Sequence, residues 1–399
     1  MNHKSITAQL QFRAKIAPPI QAQEFYVTST IESARQIQEQ LVSIRRHLHI
    51  YPELNFAEYE TSKFAAEKLT EMGFEVRAQG GNTGLVADLG QGDITVAIRC
   101  DMDAMPIAEL NRAVFTSQKP GVMHACGHDA NLTCALGAAK LLSEMDLKGR
   151  IRIIVQPGEH ESGKPGATTM IEAGALEGVT AILGLHVDAT VPTNKVGIVM
   201  GAVLPSSQKF SITFADASGE DVTDLSLAAS KIVCALYQIP KSLNTSSDQV
   251  SVVVESMQID PAGTDSQITG SVKTYSPESR QQVQEQINAI ASGGKSNATV
   301  KFEEGAAPAV NSAPVTAIMN NAAVDLIGAA NVLSIKRKSW NYQFLLFTEH
   351  VPGSMIYLGA EIAASRRIHQ TATFDIDENC LFVGAAVLAE TAARLLKGF

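Results

Sequence analysis

Cysteine is scarce in this chain. Its five thiols, Cys100, Cys126, Cys134, Cys234 and Cys380, are too few and too scattered for a disulfide framework, and their odd number points to free thiols in a reducing compartment. Long apolar runs are also missing: none approaches the roughly 18 residues of a membrane span, and the N-terminal segment MNHKSITAQLQFRAKIAPPIQAQEF has no apolar core of signal-peptide type. Basic residues are in deficit, 32 against 41 acidic, and a formal net charge of −9 argues against attraction to phosphate backbones or anionic membranes. A cytoplasmic protein with neither a nucleic-acid nor a membrane partner is the expectation. There is no internal repeat and no low-complexity tract.

What is present is material for two cores. At 399 residues and 45% apolar content, the chain exceeds the roughly 250 to 300 residues over which one core keeps growing. Residues 1–30 read as an N-terminal arm. Residues 32–48 and 58–72 carry apolar positions at helical spacing, followed by the strand-like FEVRA. Then short β-branched runs end in polar residues: DITVAIRC leads to Asp101 and Asp103, RIRIIVQP to Glu159 and His160, AILGL to His186. Such runs suit strands buried on both faces of a sheet, and the helical pattern of LTCALGAAKLLSEM between the first two completes an α/β alternation. In open α/β sheets, ligands bind beyond the carboxyl ends of the strands, where these polar residues fall.

From about residue 203 the pattern changes to strand, helix, strand, strand, helix, strand, ending with ATVKFEE, which describes an α+β two-layer sandwich. The expected organisation is therefore a first catalytic segment over 31–202, an inserted domain over 203–304, and the rest of the first domain over 305–399.

The densest chemical cluster is HACGHD at 124–129. Cys126 and His128 can share one transition-metal ion with Asp129 as an outer partner, and a buried structural thiol is the alternative for these residues alone. Glu159, His160 and His186 at strand ends favour the metal reading; a Cys/His set suits zinc, with manganese, cobalt or nickel also compatible. Glu159 follows Pro157 and Gly158, a turn expected to push its side chain into the cleft, where it serves as a proton carrier; a solvated loop carboxylate is the alternative. Asp103 orients a ligand or the base, or caps a loop. His369, in RRIHQTATFDIDE, either returns to the site or lies on the surface.

Eight motifs, in order RRHLHIYPELNFAEYET, CDMDAMP, MHACGHDA, VQPGEH, MIEAGAL, GLHV, VPGSMIYLG and IHQTATFDIDE, resemble those of the metal-dependent aminoacylase and carboxypeptidase-like amidohydrolases. The branch most similar contains hippurate hydrolase, N-acyl-amino-acid amidohydrolases and indole-acetyl-amino-acid hydrolases. The resemblance implies a zinc-exopeptidase-like catalytic domain, with a mixed sheet flanked by helices, interrupted by a ferredoxin-like domain through which the protein forms a homodimer. It implies two divalent ions per chain held by Cys126, His128, His160, His186 and His369, with Glu159 as general base and Asp103 as its orienting partner. The reaction it implies is cleavage of a small amide substrate, an N-acyl amino acid or peptide-like compound, by attack of metal-bound hydroxide. A dipeptidase or exopeptidase, and a catalytically impaired homologue that binds a small molecule or a protein, are the alternatives.

Four departures from the family pattern bear on that choice. His160 stands where the family has a carboxylate ligand, Asn131 where it usually has histidine, and SWNYQF at 339–344 where it has an acidic pair. No histidine lies between His186 and His350, so the inserted domain lacks the histidine that relatives bring to the reacting carbonyl. A lost donor of that kind costs on the order of 2.7 to 4 kcal/mol in rate.

Overall fold

The computed structural model describes residues 30–79, 83–160, 163–214, 222–245, 249–260, 266–293, 298–303, 309–335, 342–363, 365 and 367–398. The arm expected over 1–30 falls almost wholly outside these residues, as do 339–341 of SWNYQF and 215–221 of the inserted segment.

In chain order the first elements are α1 (Gln38–Ile50), α2 (Tyr59–Glu71), β1 (Glu75–Ala78), β2 (Leu85–Gly90), β3 (Thr95–Asp101), α3 (His128–Ser143), β4 (Arg150–Gln156), α4 (Gly166–Glu172), β5 (Val179–Pro192) and β6 (Val196–Ile198). Next come β7 (Gly201–Leu204), β8 (Ser206–Phe214), α5 (Val222–Leu236), α6 (Ile239–Leu243), β9 (Ser251–Gln258), β10 (Ser266–Thr274), α7 (Pro277–Ser292), β11 (Thr299–Phe302) and β12 (Ala309–Asn311). The chain closes with α8 (Ala313–Ile327), β13 (Val332–Ser334), α9 (Phe344–Thr348), β14 (Gly353–Glu361) and α10 (Leu381–Leu396).

Two compact units emerge, one from residues 1–198, 317–333 and 355–399, the other from 199–316 and 334–354. The larger unit is built on an eight-stranded mixed sheet of order β1-β2-β4-β3-β5-β14-β6-β13. β3 runs parallel to both β4 and β5, whereas β2 is antiparallel to β4 and β14 to β6. All seven residues of β3 are buried, which is why its sequence is a near-continuous β-branched run interrupted only where chemistry is needed. Because β3 and β4 are parallel and in register from Thr95–Arg150 to Asp101–Gln156, their carboxyl ends finish side by side. Asp101, Asp103, Gln156, Glu159 and His160 therefore share one end of the sheet.

α3 and α10 are apolar almost all round and bury nearly every side chain. They approach closely through small residues: a methyl group on Gly137 would lie 2.8 Å from Cβ of Ala385. By length and composition alone the stretch Glu378–Leu396 that contains α10 could cross a membrane, but 83% of its most apolar window is buried, as in the core helix of this unit.

The smaller unit carries a four-stranded antiparallel sheet of order β11-β8-β10-β9. With the chain order β8-α5-β9-β10-α7-β11, this is the ferredoxin-like arrangement. β8 alternates, burying Ser206, Gln208, Phe210, Ile212 and Phe214, and its apolar members meet Leu225, Ile232, Val283 and Ile287 of α5 and α7. α7 starts where Ser276 Oγ accepts the Ser279 N–H at 3.1 Å, with Pro277 at the first helical position. This unit also takes in residues on the far side of β11: β12 pairs with β7, Ser312 N–H donates to Gly353 O at 2.7 Å, and Thr316 and Ser354 share a hydroxyl bond at 2.9 Å.

Candidate active site

The site lies wholly within the larger unit. α3 begins at His128, and Gly127 ahead of it adopts φ +90°, a conformation that favours glycine. A Cβ there would sit 2.3 Å from Cγ2 of Val187, so only glycine lets the loop carrying Cys126 and His128 pack against β5. On β5, Arg99 pairs with Gly184 in the parallel register, which sets His186 level with the end of β3.

Cys126, His128 and His186 are all buried, and one potential ligand atom from each lies within 4.8 Å of the others. Cys126 Sγ is 3.6 Å from His186 Nε2. Burial resists ionisation of the thiol, but His186 beside it, with the rings of His128 and His160, holds it well below the ordinary thiol range. A thiolate facing imidazoles is a donor set that fits a transition-metal ion. His128 Nε2 fits too: it is buried and has no hydrogen-bond partner among the described residues.

Asp103 organises this shell. His128 Nδ1–H donates to its backbone carbonyl at 2.9 Å and to Oδ1 at 3.1 Å, and His160 Nδ1–H donates to Oδ2 at 2.7 Å. The two rings stack at 4.7 Å, 15° from parallel. Both imidazoles are thus fixed with Nε2 as the remaining donor atom, the carboxylate–histidine arrangement common behind metal ions. Burial opposes charge on Asp103, but His128 and His160 keep its carboxyl well below the usual range. The same partnership pushes His160 up to about 9 against the effect of burial.

Of the two orienting roles expected of Asp103, the contacts fit that of a ligand: its carboxylate meets Glu159 at the backbone N–H, 3.1 Å from Oδ1, and serves the two imidazoles. Glu159 is not pushed out into a cleft by the Pro157-Gly158 turn: it is 8% exposed, and its Oε2 is held by Arg99 and, at 2.9 Å, by Gln156 Nε2. Arg99 also binds Asp101 Oδ2 at 2.7 Å. Burial works against its charge, but Glu159 and Asp101 keep the guanidinium protonated, with its pKa raised. The outcome follows from β3, which places Arg99 beneath the loop, where a buried cation must find carboxylates.

His369 is buried, not a surface residue, and its ring lies 5.7 Å from that of His186. Both its nitrogens meet backbone: Nε2 accepts Ala189 N–H at 3.1 Å, and Nδ1 donates to Cys126 O at 3.2 Å.

A second polar layer, not evident from individual residues, adjoins the site through Asp129. Arg45, fully buried on α1, donates to Asp129 at 2.8 Å and to Asp375 and Glu378 at 3.2 Å. His49, one turn on, donates from Nδ1 to Asp129 at 2.8 Å. The available signal was the i, i+4 spacing of Arg45 and His49 on a helix whose other buried residues are apolar. The amide of Asn131 joins Asp101 to Val187. His124 is buried with neither ring nitrogen partnered among the described residues, and burial pushes it down to about 4.

Comparison with known proteins agrees with this architecture. Residues 97–394 match the profile of "Peptidase family M20/M25/M40". The chain is 33% identical to the N-acetyl-L-cysteine deacetylase of Bacillus subtilis over 90% of its own length and 89% of that protein's. It is 32% identical to the IAA-amino acid hydrolase ILR1-like 5 of Arabidopsis thaliana, over 89% of this chain and 86% of that one. Among solved structures, the YxeP protein of Bacillus subtilis, described as a dinuclear metal-binding peptidase, superposes with a TM-score of 0.72 at 28% identity, covering 92% of this chain and 100% of that one. By matched length and by identity, the chain belongs to peptidase family M20/M25/M40.

Proposed function

We propose that the protein is a divalent-metal-dependent amidohydrolase that cleaves small N-acyl amino acids. The observation that carries this reading is the Cys126 thiolate among the imidazoles of His128, His160 and His186, with two of those rings oriented by Asp103. The names of the N-acetyl-L-cysteine deacetylase and IAA-amino acid hydrolase relatives support the substrate class.

Cys126, His128, His160 and His186 would hold the ion, with zinc, manganese, cobalt or nickel suited to the donors. A second ion would draw on His369, whose Nε2 must then exchange the Ala189 N–H for the metal. When bound, such an ion polarises the amide carbonyl and lowers the pKa of water. Glu159 takes the proton from the attacking water and returns it to the leaving nitrogen, while Arg99 and Gln156 fix the direction of its carboxylate.

The chain's five free thiols support a cytoplasmic setting, and the edge strand β9, with Val253 and Met257 exposed, supports a homodimer through the smaller unit.

Turnover of an N-acyl-amino-acid and dipeptide panel by metal-loaded protein tests the reading. Glu159→Gln is expected to lower kcat by about 10²- to 10⁴-fold with unchanged metal content. Cleavage of dipeptides alone would identify a dipeptidase. The absence of histidine between His186 and His350 favours a second reading, a binding homologue; ligand-induced thermal stabilisation with no turnover on any amide would establish it and refute the first.

A further inference from the structure

We propose that Asn131 is a positioning residue for His186, acting through a buried relay that runs from Arg99 through Asp101 to Asn131 and Val187. The inference rests on the metal-dependent reading of the site.

Each link is short. Arg99 Nη1 donates to Asp101 Oδ2 at 2.7 Å, and Asn131 Nδ2 donates to Asp101 Oδ1 at 2.8 Å. Val187 N–H donates to Asn131 Oδ1 at 3.0 Å, and His186 Nδ1–H donates to Val187 O at 2.7 Å. All five residues are buried. The peptide units on both sides of Val187 are thus gripped, one by Asn131 and the other by the imidazole itself. The consequence is a fixed tautomer and ring direction, with His186 Nε2 turned to Cys126 Sγ at 3.6 Å.

The chemistry of the position explains the residue. One neighbour, the Val187 N–H, can only donate; the other, the Asp101 carboxylate, can only accept. The side chain between them must present an acceptor on one side and a donor on the other, and a carboxamide does so. A neutral imidazole also has one acceptor and one donor, so histidine meets the same requirement. Aspartate supplies the acceptor but sets a second carboxylate against Asp101, and leucine supplies neither. Arg99 is also the cation that holds Glu159, so the same relay ties the direction of the proton carrier to that of the ligand.

The test is titration of the purified full-length chain and of Asn131→Leu, Asn131→Asp and Asn131→His with Co²⁺ alone. A competing chelator reads affinity, and absorption reads the thiolate-to-cobalt charge-transfer and d–d bands. Asn131→Leu and Asn131→Asp are expected to bind Co²⁺ about 10- to 100-fold more weakly, with altered d–d bands, while Asn131→His recovers the affinity and spectrum of the parent. Wild-type affinity and bands in Asn131→Leu, whatever its melting temperature, overturn the positioning role; if that variant does not fold, the same result in the near-isosteric Asn131→Asp overturns it. Weakened binding in Asn131→His equal to that in Asn131→Asp also overturns it. A parent chain that takes up no Co²⁺ overturns the metal-dependent reading together with this inference, whereas a parent that binds alongside equally binding variants overturns the inference alone.

Discussion

Asp103 Oδ2 accepts the Nδ1 proton of His160 at 2.7 Å, so the imidazole that stands where the resemblance implies a carboxylate has a carboxylate directly behind it. The negative charge thus lies behind the imidazole rather than at its position. Asp103→Asn removes that charge and gives one of the two imidazoles an N–H where it needs an acceptor. Ion affinity is expected to fall about 10- to 100-fold. Chelator-competition titration measures it, and unchanged affinity would count against the role.

His186 and His369 differ in what their nitrogens do. His186 keeps Nε2 toward Cys126, whereas both nitrogens of His369 are bonded to backbone. His186→Ala is therefore expected to abolish tight binding, and His369→Ala to retain one ion per chain. Metal analysis after dialysis distinguishes them; the reverse pattern would show that the tight ion sits at His369.

In the layer beneath the site, Arg45 binds Asp129, Asp375 and Glu378. Arg45→Met leaves Asp129 buried without the guanidinium 2.8 Å away. Destabilisation of about 3–5 kcal/mol is expected from breaking a buried pair at one partner. Urea unfolding of metal-free protein checks this, and a loss below about 1 kcal/mol, the range of exposed pairs, contradicts it.

Far from the site, Asp88 on β2 receives Arg152 in two bonds of 2.7 and 2.9 Å and Arg77 in one of 2.8 Å. Burial opposes its ionisation, but Arg152 and Arg77 prevail, so its pKa lies below the ordinary 3.8. As pH falls the unfolded chain binds this proton first. The stabilisation is thus complete above pH 3.8 and is lost as pH drops through the lower folded-state value. Asp88→Asn is expected to be about 1–3 kcal/mol less stable at pH 7, with the gap closing along the acid limb. Denaturant midpoints at pH 7, 5 and 3 measure the gap; one that does not narrow below pH 4 would refute the assignment.

Much of the architecture is readable in the sequence because it is periodic. β-branched runs mark β3 and β4, regular apolar spacing marks α3, and alternation in β8 marks the inserted sandwich. β2 and the short strands β6, β7, β12 and β13 escape notice because three to six residues carry too little pattern to separate strand from loop. The apolar spacing of LFVGAAVLAETAARLL marks α10 as a helix, and only packing reveals it as core.

In the sequence alone, Cys126, His128, His160 and His186 stand out as candidates for the chemistry, because they sit in motifs whose order survives without coordinates. The sequence could not say which atom of each residue faces which neighbour. Folding is what sets Asp103 against imidazoles, Glu159 against Arg99, both nitrogens of His369 against backbone, and Asn131 between Asp101 and Val187. The reason is distance along the chain: these hydrogen bonds join residues separated by 25 to 243 positions. Their geometry comes from the register of parallel strands and the burial of charge, neither of which leaves a local sequence pattern.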